Sequence, residues 1–423
     1  MIRFYNGRVL TLAGGMAATS DEVWTDAERI AYVGPARADA PAFRREIDLR
    51  GDLLLPGFKN AHTHSAMTAL RSYADDLPLR EWLFDRVFPL EARLTPAHVY
   101  AFTRLAILEY LTSGITASFD MYFHPDAYVQ ANVDCGFRTV LCGAVSAMTD
   151  DRTKLERDFL RFNAHHPLIS YRLGFHAEYT ADIPLLEYVA SLAKAHKAPV
   201  YTHNAETAAE VQECIGRHGQ TPTALFESLG LFEYGGGGFH CVYLSDGDRK
   251  IFKNRGLWAV TCPASNAKLA SGIAPLVPMG AAGLRLAIGT DGPASNNALD
   301  MFREMYLACV LQKLREGDAA ACDADEVLRM AASNGAAAMG LPDCDVLAPG
   351  KQADLVVIDL SRPNMRPIHN LTKNLVYSGS KDNVRLTMVA GRVLYEDGAF
   401  SVGDTAEHII KEAERAAREI TAG

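Results

Sequence analysis

Along this chain, short apolar runs rich in β-branched and aromatic residues alternate with longer stretches whose apolar positions recur at helical spacing. The two ends lack the longer stretches. Ile2 to Leu12, Ile30 to Val33 and Glu46 to Leu55 read as strands separated by Gly, Pro and Asp turn signals. Ala353 to Leu360 and Val384 to Tyr395, with Ala390-Gly391-Arg392 as a turn, supply similar strands near the other terminus. Neither set alone has a convincing core. The pattern therefore predicts one small discontinuous β domain from residues 1–56 plus 346–423, with a surface helix at Thr405 to Ile420.

Residues 57–345 alternate strand and helix, which argues for a parallel sheet with crossover helices. A helix is expected from Thr95 to Ser113, with Thr95 as N-cap, Pro96 in its first turn and Gly114 as its stop. After the His62 segment, strands are expected at Ile115 to Met121, Phe137 to Val145, Tyr171 to Ala177, Pro199 to Glu206, Gly238 to Leu244, Leu257 to Ser265 and Arg285 to Gly292. Helices are expected at Arg152 to Ala164 and Pro184 to Lys197. Eight strands are what a closed (β/α)8 barrel needs, and the span suits its usual size of ~250 residues plus insertions. Gly235 to Gly238 precedes a strand and opens no helix, so a flexible connection is expected there rather than a phosphate loop.

Composition narrows the class. The chain has 423 residues, a hydrophobic content of 48% and a formal charge of -9 with both signs mixed, which disfavours a nucleic-acid surface. No stretch approaches the ~20 apolar residues that span a bilayer, and MIRFYNGRVL lacks a basic segment followed by an apolar signal core. A cytoplasmic protein without a membrane partner is expected. Its eight cysteines form no C-x-x-C pair and read as buried thiols in a reducing compartment.

The chemistry sits at the ends of the expected strands. His62 and His64 are one residue apart, so in an extended chain both imidazoles project to one side and can reach one cation. His176, His203 with Glu206, His240 and Asp291 close strands four, five, six and eight. In a parallel barrel all these ends share one face, where barrel enzymes build their sites. Singly, each has a plain structural reading. Together they predict a metal-centred cleft.

His62-Thr63-His64, His203-Asn204-Ala205-Glu206-Thr207, His240-Cys241-Val242, Cys262-Pro263-Ala264-Ser265-Asn266 and Gly289 to Asn297 resemble the amidohydrolase superfamily, and within it the methylthioadenosine/S-adenosylhomocysteine deaminase group. The resemblance extends to about Tyr395 and includes Asp75 to Leu83, similar to the family segment that carries a ribose-binding glutamate. It implies that His62, His64, His203 and Asp291 bind one divalent metal, since the strand-four segment Tyr171 to His176 offers no bridging lysine. Three imidazoles and a carboxylate point first to zinc, and iron(II) or manganese(II) would tolerate the same set. The implied reaction is hydrolytic deamination of a 6-aminopurine nucleoside. Glu206 would act as general acid/base, His240 would orient the attacking oxygen, and Asp291 would pass a proton to the departing amine.

By the same resemblance Glu81 would hold the ribose hydroxyls, with His176 near the sugar or base and Ser295 also on the substrate. The family's arginines near strand three are missing from Val140 to Val145, leaving Arg152 and Lys154 as imperfect substitutes. A carboxylate tail is best held by an arginine fork, so a smaller nucleoside such as methylthioadenosine, 5'-deoxyadenosine or adenosine is favoured over S-adenosylhomocysteine. A homo-oligomer is the family's implied assembly. Two alternatives stand beside this reading: the same centre acting on a pterin, guanine, cytosine or triazine ring, and a non-catalytic scaffold.

Overall fold

A computed structural model describes residues 1–149 and 151–422. Eight parallel strands form a nearly closed barrel in chain order: Phe58–Thr63, Ile115–Met121, Arg138–Cys142, Ile169–Gly174, Val200–Asn204, Gly236–His240, Trp258–Thr261 and Arg285–Ile288. Most of these strands are buried along their whole length, as expected when helices cover one face and the barrel core the other. The seam between the first and eighth strands is joined by side-chain and backbone hydrogen bonds. Asn60 Nδ2 donates to Thr290 Oγ1 at 2.7 Å and Thr290 N donates to Asn60 Oδ1 at 2.8 Å. Asp291 N donates to the His62 carbonyl at 3.0 Å. Gly289 permits that approach, since a Cβ there would lie 2.6 Å from both His62 N and His62 O.

Two further sheets come from the chain ends. One has four strands, including Ile2–Tyr5 and Glu22–Asp26. The other has six and interleaves the termini, pairing Leu53–Pro56 antiparallel with Leu355–Ile358. A separate apolar cluster that includes Phe4, Val23, Ile30, Leu54, Leu355 and Leu386 shows why both ends are needed: each supplies only part of one core.

Helix signals match closely. Thr95 caps Pro96–Thr112 by accepting from His98 N, and Gly114 beyond its end takes a left-handed φ of +72°. The helix Ala406–Thr421 begins after Thr405 and is tied back through Arg104 to Asp404 at 2.5 Å. Among the described residues, no helix is long and apolar enough to cross a membrane.

The glycine run departs from expectation. Gly236–Gly238 form buried sheet rather than a flexible connection. A Cβ on Gly236 would meet Val200 O at 1.9 Å and one on Gly237 would meet Trp258 O at 2.4 Å, so the glycines let neighbouring strands pack closely. The run is a packing device.

Candidate metal centre and substrate cavity

His62, at the end of the first strand, is wholly buried, and among the described residues neither of its ring nitrogens has a hydrogen-bond partner. Two unsatisfied polar atoms in a protein interior are costly, so this imidazole is poised for a ligand. His64 donates Nδ1–H to the Met121 carbonyl at 2.6 Å, and His203 donates Nδ1–H to the His176 carbonyl at 2.6 Å. Those bonds orient both Nε2 atoms toward one point, where they lie 3.4 Å apart. Asp291 Oδ1 lies 3.2 Å from His64 Nε2 and 3.6 Å from His62 Nε2. Ligand-type atoms of His62, His64 and Asp291 fall within 4.8 Å of one another, as do those of His62, His203 and His240.

The electrostatics fit a cation. Burial pushes His62 and His203 well below the usual imidazole range, keeping them in the neutral form a metal needs. Burial opposes a charge on His64 too, but the hydrogen bond and charge of Asp291 raise it to about 9. Burial would likewise raise the Asp291 carboxyl, yet His64 and the other imidazoles hold it well below the ordinary range. A proton on His64 and a divalent cation would answer the same negative charge.

The proton-handling groups stand beside this cluster. Glu206 is raised by burial, and its Oε1 accepts from Ser271 Oγ at 3.2 Å. Its Oε2 lies 3.9 Å from His240 Nε2. His240 donates Nδ1–H to Asn266 Oδ1 at 2.8 Å, which fixes its ring and turns Nε2 inward. The Glu206 backbone is held by Glu210, whose carboxylate accepts from Ala205 N at 3.0 Å and Glu206 N at 2.7 Å. His240 and Asp291 adopt left-handed φ values of +68° and +58°, a strain of about 1–3 kcal/mol each that clusters at functional sites.

A cavity of about 590 Å³ opens from the cluster, within the range of small-molecule sites. His64, His176, His203, Glu206, His240 and Asp291 line it, so the expected strand-end residues apart from fully buried His62 share one chamber. His176 is pushed down to about 4 by burial, and its Nδ1 bonds Thr180 Oγ1 at 3.0 Å. Lys154 also reaches the wall.

Three residues expected on the substrate lie outside the lining of this chamber. Glu81 is exposed and absent from the lining. A π-helical turn at Trp82–Val87 follows it, and this wider winding sends Trp82, Leu83 and Phe88 inward. Glu91, ten positions later, enters the cavity instead: it is buried, accepts from Tyr122 Oη at 2.8 Å, and is pushed up by burial to about 7. Ser295 is absent from the lining and donates to Asp291 Oδ2 at 2.7 Å. Arg152 pairs with Asp182 at 2.7 Å, outside the lining.

Ser265 and Asn266 were legible only as part of a motif. Ser265 Oγ donates to Asp291 Oδ2 at 2.5 Å, and no local pattern ties residues so far apart.

Comparison with known proteins places this geometry. The profile described as "Amidohydrolase family" matches residues 53–394. The chain is 39% identical over 396 residues to a 5-methylthioadenosine/S-adenosylhomocysteine deaminase of Pelotomaculum thermopropionicum, covering 92% of each chain. It is 42% identical to a protein of the same description from Nitratidesulfovibrio vulgaris, covering 87% of this chain and 86% of that one. A crystal structure of an adenosine deaminase from Xanthomonas campestris with bound zinc superposes with a TM-score of 0.94 at 33% identity, covering 100% of this chain and 99% of the other. An atrazine chlorohydrolase from Arthrobacter aurescens, 23% identical with a TM-score of 0.91, shares the fold.

Proposed function

Because the chain belongs to the amidohydrolase family, we propose that it is a metal-dependent aminohydrolase converting a 6-aminopurine nucleoside to its inosine-type product and ammonia. The observation that carries this reading is His62 with both nitrogens unpartnered, facing His64, His203 and Asp291 beside a buried Glu206. His62, His64, His203 and Asp291 would hold one divalent ion, zinc by their chemistry. Such an ion supplies a water whose pKa falls from 15.7 to about 7.

The protein's own groups then manage protons and position. Glu206, kept protonatable by burial, takes a proton from the attacking water and delivers it to the purine nitrogen beside C6. That transfer makes C6 electrophilic as the new C–O bond forms. His240, held by Asn266, hydrogen-bonds the attacking oxygen. Asp291 accepts the second proton and passes it to the amino group, so the C–N bond breaks and ammonia leaves.

Glu91, rather than Glu81, is placed to accept from sugar hydroxyls, with Tyr122 fixing its other side. Lys154 gives the cavity one cation for a 5' substituent ending in a carboxylate, so both methylthioadenosine and S-adenosylhomocysteine fall within the proposed range. The test is ammonia release from zinc-loaded protein across methylthioadenosine, S-adenosylhomocysteine, adenosine, guanine, a pterin and a triazine. Turnover of the adenine nucleosides alone, reduced at least tenfold in kcat/KM by Glu91→Gln, is expected. Preference for a free ring, unaffected by that substitution, would overturn the nucleoside reading.

A further inference from the structure

Glu304 lies in the first turn of the helix Met301–Glu316 and is fully shielded from solvent. Its Oε2 accepts from Ala264 N at 3.0 Å, and its Oε1 accepts from Asn296 Nδ2 at 2.7 Å. The same Asn296 amide also donates to the Thr290 carbonyl at 2.6 Å. Each of the two residues clamped in this way precedes or follows a serine directed at one atom. Ser265 Oγ and Ser295 Oγ both donate to Asp291 Oδ2, at 2.5 and 2.7 Å.

A carboxylate turns readily about its last bond, and a partial turn swings the oxygen nearest the histidines away from them. Two hydroxyls on Oδ2 oppose that turn and leave Oδ1 toward His64 and His62. They can do so only if the backbones carrying them are fixed. Burial raises the Glu304 carboxyl to about 8, and an acid in that position is an expensive way to secure two neutral donors unless both of its oxygens are needed together.

We propose that Glu304 is a positioning residue for Asp291, joining the segments of Ser265 and Ser295 so that the Asp291 carboxylate plane is held at the angle that keeps one oxygen on the histidines. It touches neither substrate nor reacting atoms. The inference rests on Asp291 being a metal ligand, and it is read by zinc release, which needs no substrate.

The test is a double-mutant cycle on the full chain loaded with zinc. Glu304→Gln keeps the shape but replaces one acceptor with a donor. We expect zinc to leave into excess chelator about 10-fold faster. We also expect kcat for methylthioadenosine to fall about 10-fold with KM within about twofold. Removing both hydroxyls, with Ser265→Ala and Ser295→Ala together, should speed release at least as much, and adding Glu304→Gln to that pair should change the rate less than about twofold, because Glu304 acts through those two hydroxyls. Unchanged zinc release in Glu304→Gln, or an effect that multiplies when it is added to the serine pair, would overturn the proposal. If Glu304→Gln does not fold, Glu304→Asp, one methylene short of spanning both donors, enters the same cycle with the same expected and overturning results. Altered zinc release without turnover of any nucleoside would uphold this inference while removing the deaminase reading.

Discussion

The two ends of the barrel both bury ionisable groups, and they treat them in opposite ways. At the N-terminal end, Arg138 grips Asp354 with Nε at 2.7 Å and Nη2 at 3.1 Å, while Gln352 accepts from Arg138 and Ala390 N donates to Asp354. Nearby Lys59, wholly buried, donates to the Gly57 carbonyl at 2.7 Å and Thr116 Oγ1 at 2.8 Å. At the C-terminal end, His62 has no hydrogen-bond partner among the described residues, and four imidazoles crowd around one carboxylate. Burial alone therefore says little about role. A buried polar group whose partners all come from the chain holds the fold together, whereas one left short of partners marks where something else must bind.

The sharpest way to test this contrast is to break each end separately. Chelation of the metal, or His62→Ala, should lower kcat/KM by more than about 10³-fold. Far-ultraviolet circular dichroism should remain that of the folded protein, and added zinc should restore the chelated enzyme but not the variant. Glu206→Gln is expected to cost about 10²–10⁴ in kcat, with one metal per chain retained by elemental analysis. Metal loss in that variant would make Glu206 part of the binding cluster instead.

Arg138→Met should do the reverse. Leaving Asp354 buried without its partner should cost about 3–5 kcal/mol in urea unfolding, with kcat/KM of the folded fraction within about twofold. A large catalytic defect there would erase the distinction between the two ends. The smallest effect expected is a pH dependence. Glu91 is raised to about 7, so its carboxylate is lost as pH falls through that value. The KM for nucleosides should then rise several-fold between pH 8 and about 6. Glu91→Gln should flatten the rise, and a profile unmoved by that substitution would remove Glu91 from sugar recognition.

Much of this arrangement is visible in the sequence because strand ends are local. His62, His64, His203, His240 and Asp291 each stand at or just beyond the end of a barrel strand, and a parallel barrel needs only strand order to gather them. The glycine run misleads because glycine serves both flexible turns and close packing, and only the Val200 and Trp258 carbonyls decide between them. Glu81 lies outside the lining for a different reason. The π-helical turn changes the winding just after it, so the phase carrying Glu91 inward cannot be counted from an α-helical repeat. The contacts of Ser265 and Glu304 cross from one strand end to the next, where spacing along the chain carries no information.

The seam joining the first and last barrel strands has a consequence for biosynthesis. Asn60 and Thr290 meet across 230 positions, so a ribosome must deliver most of the chain before the ring can shut. On the proposed ligand set, a nascent fragment ending short of Asp291 would offer an incoming ion imidazoles without their carboxylate. Metal loading would then follow closure of the ring, and a product truncated before Asp291 should hold less zinc than the full chain by elemental analysis.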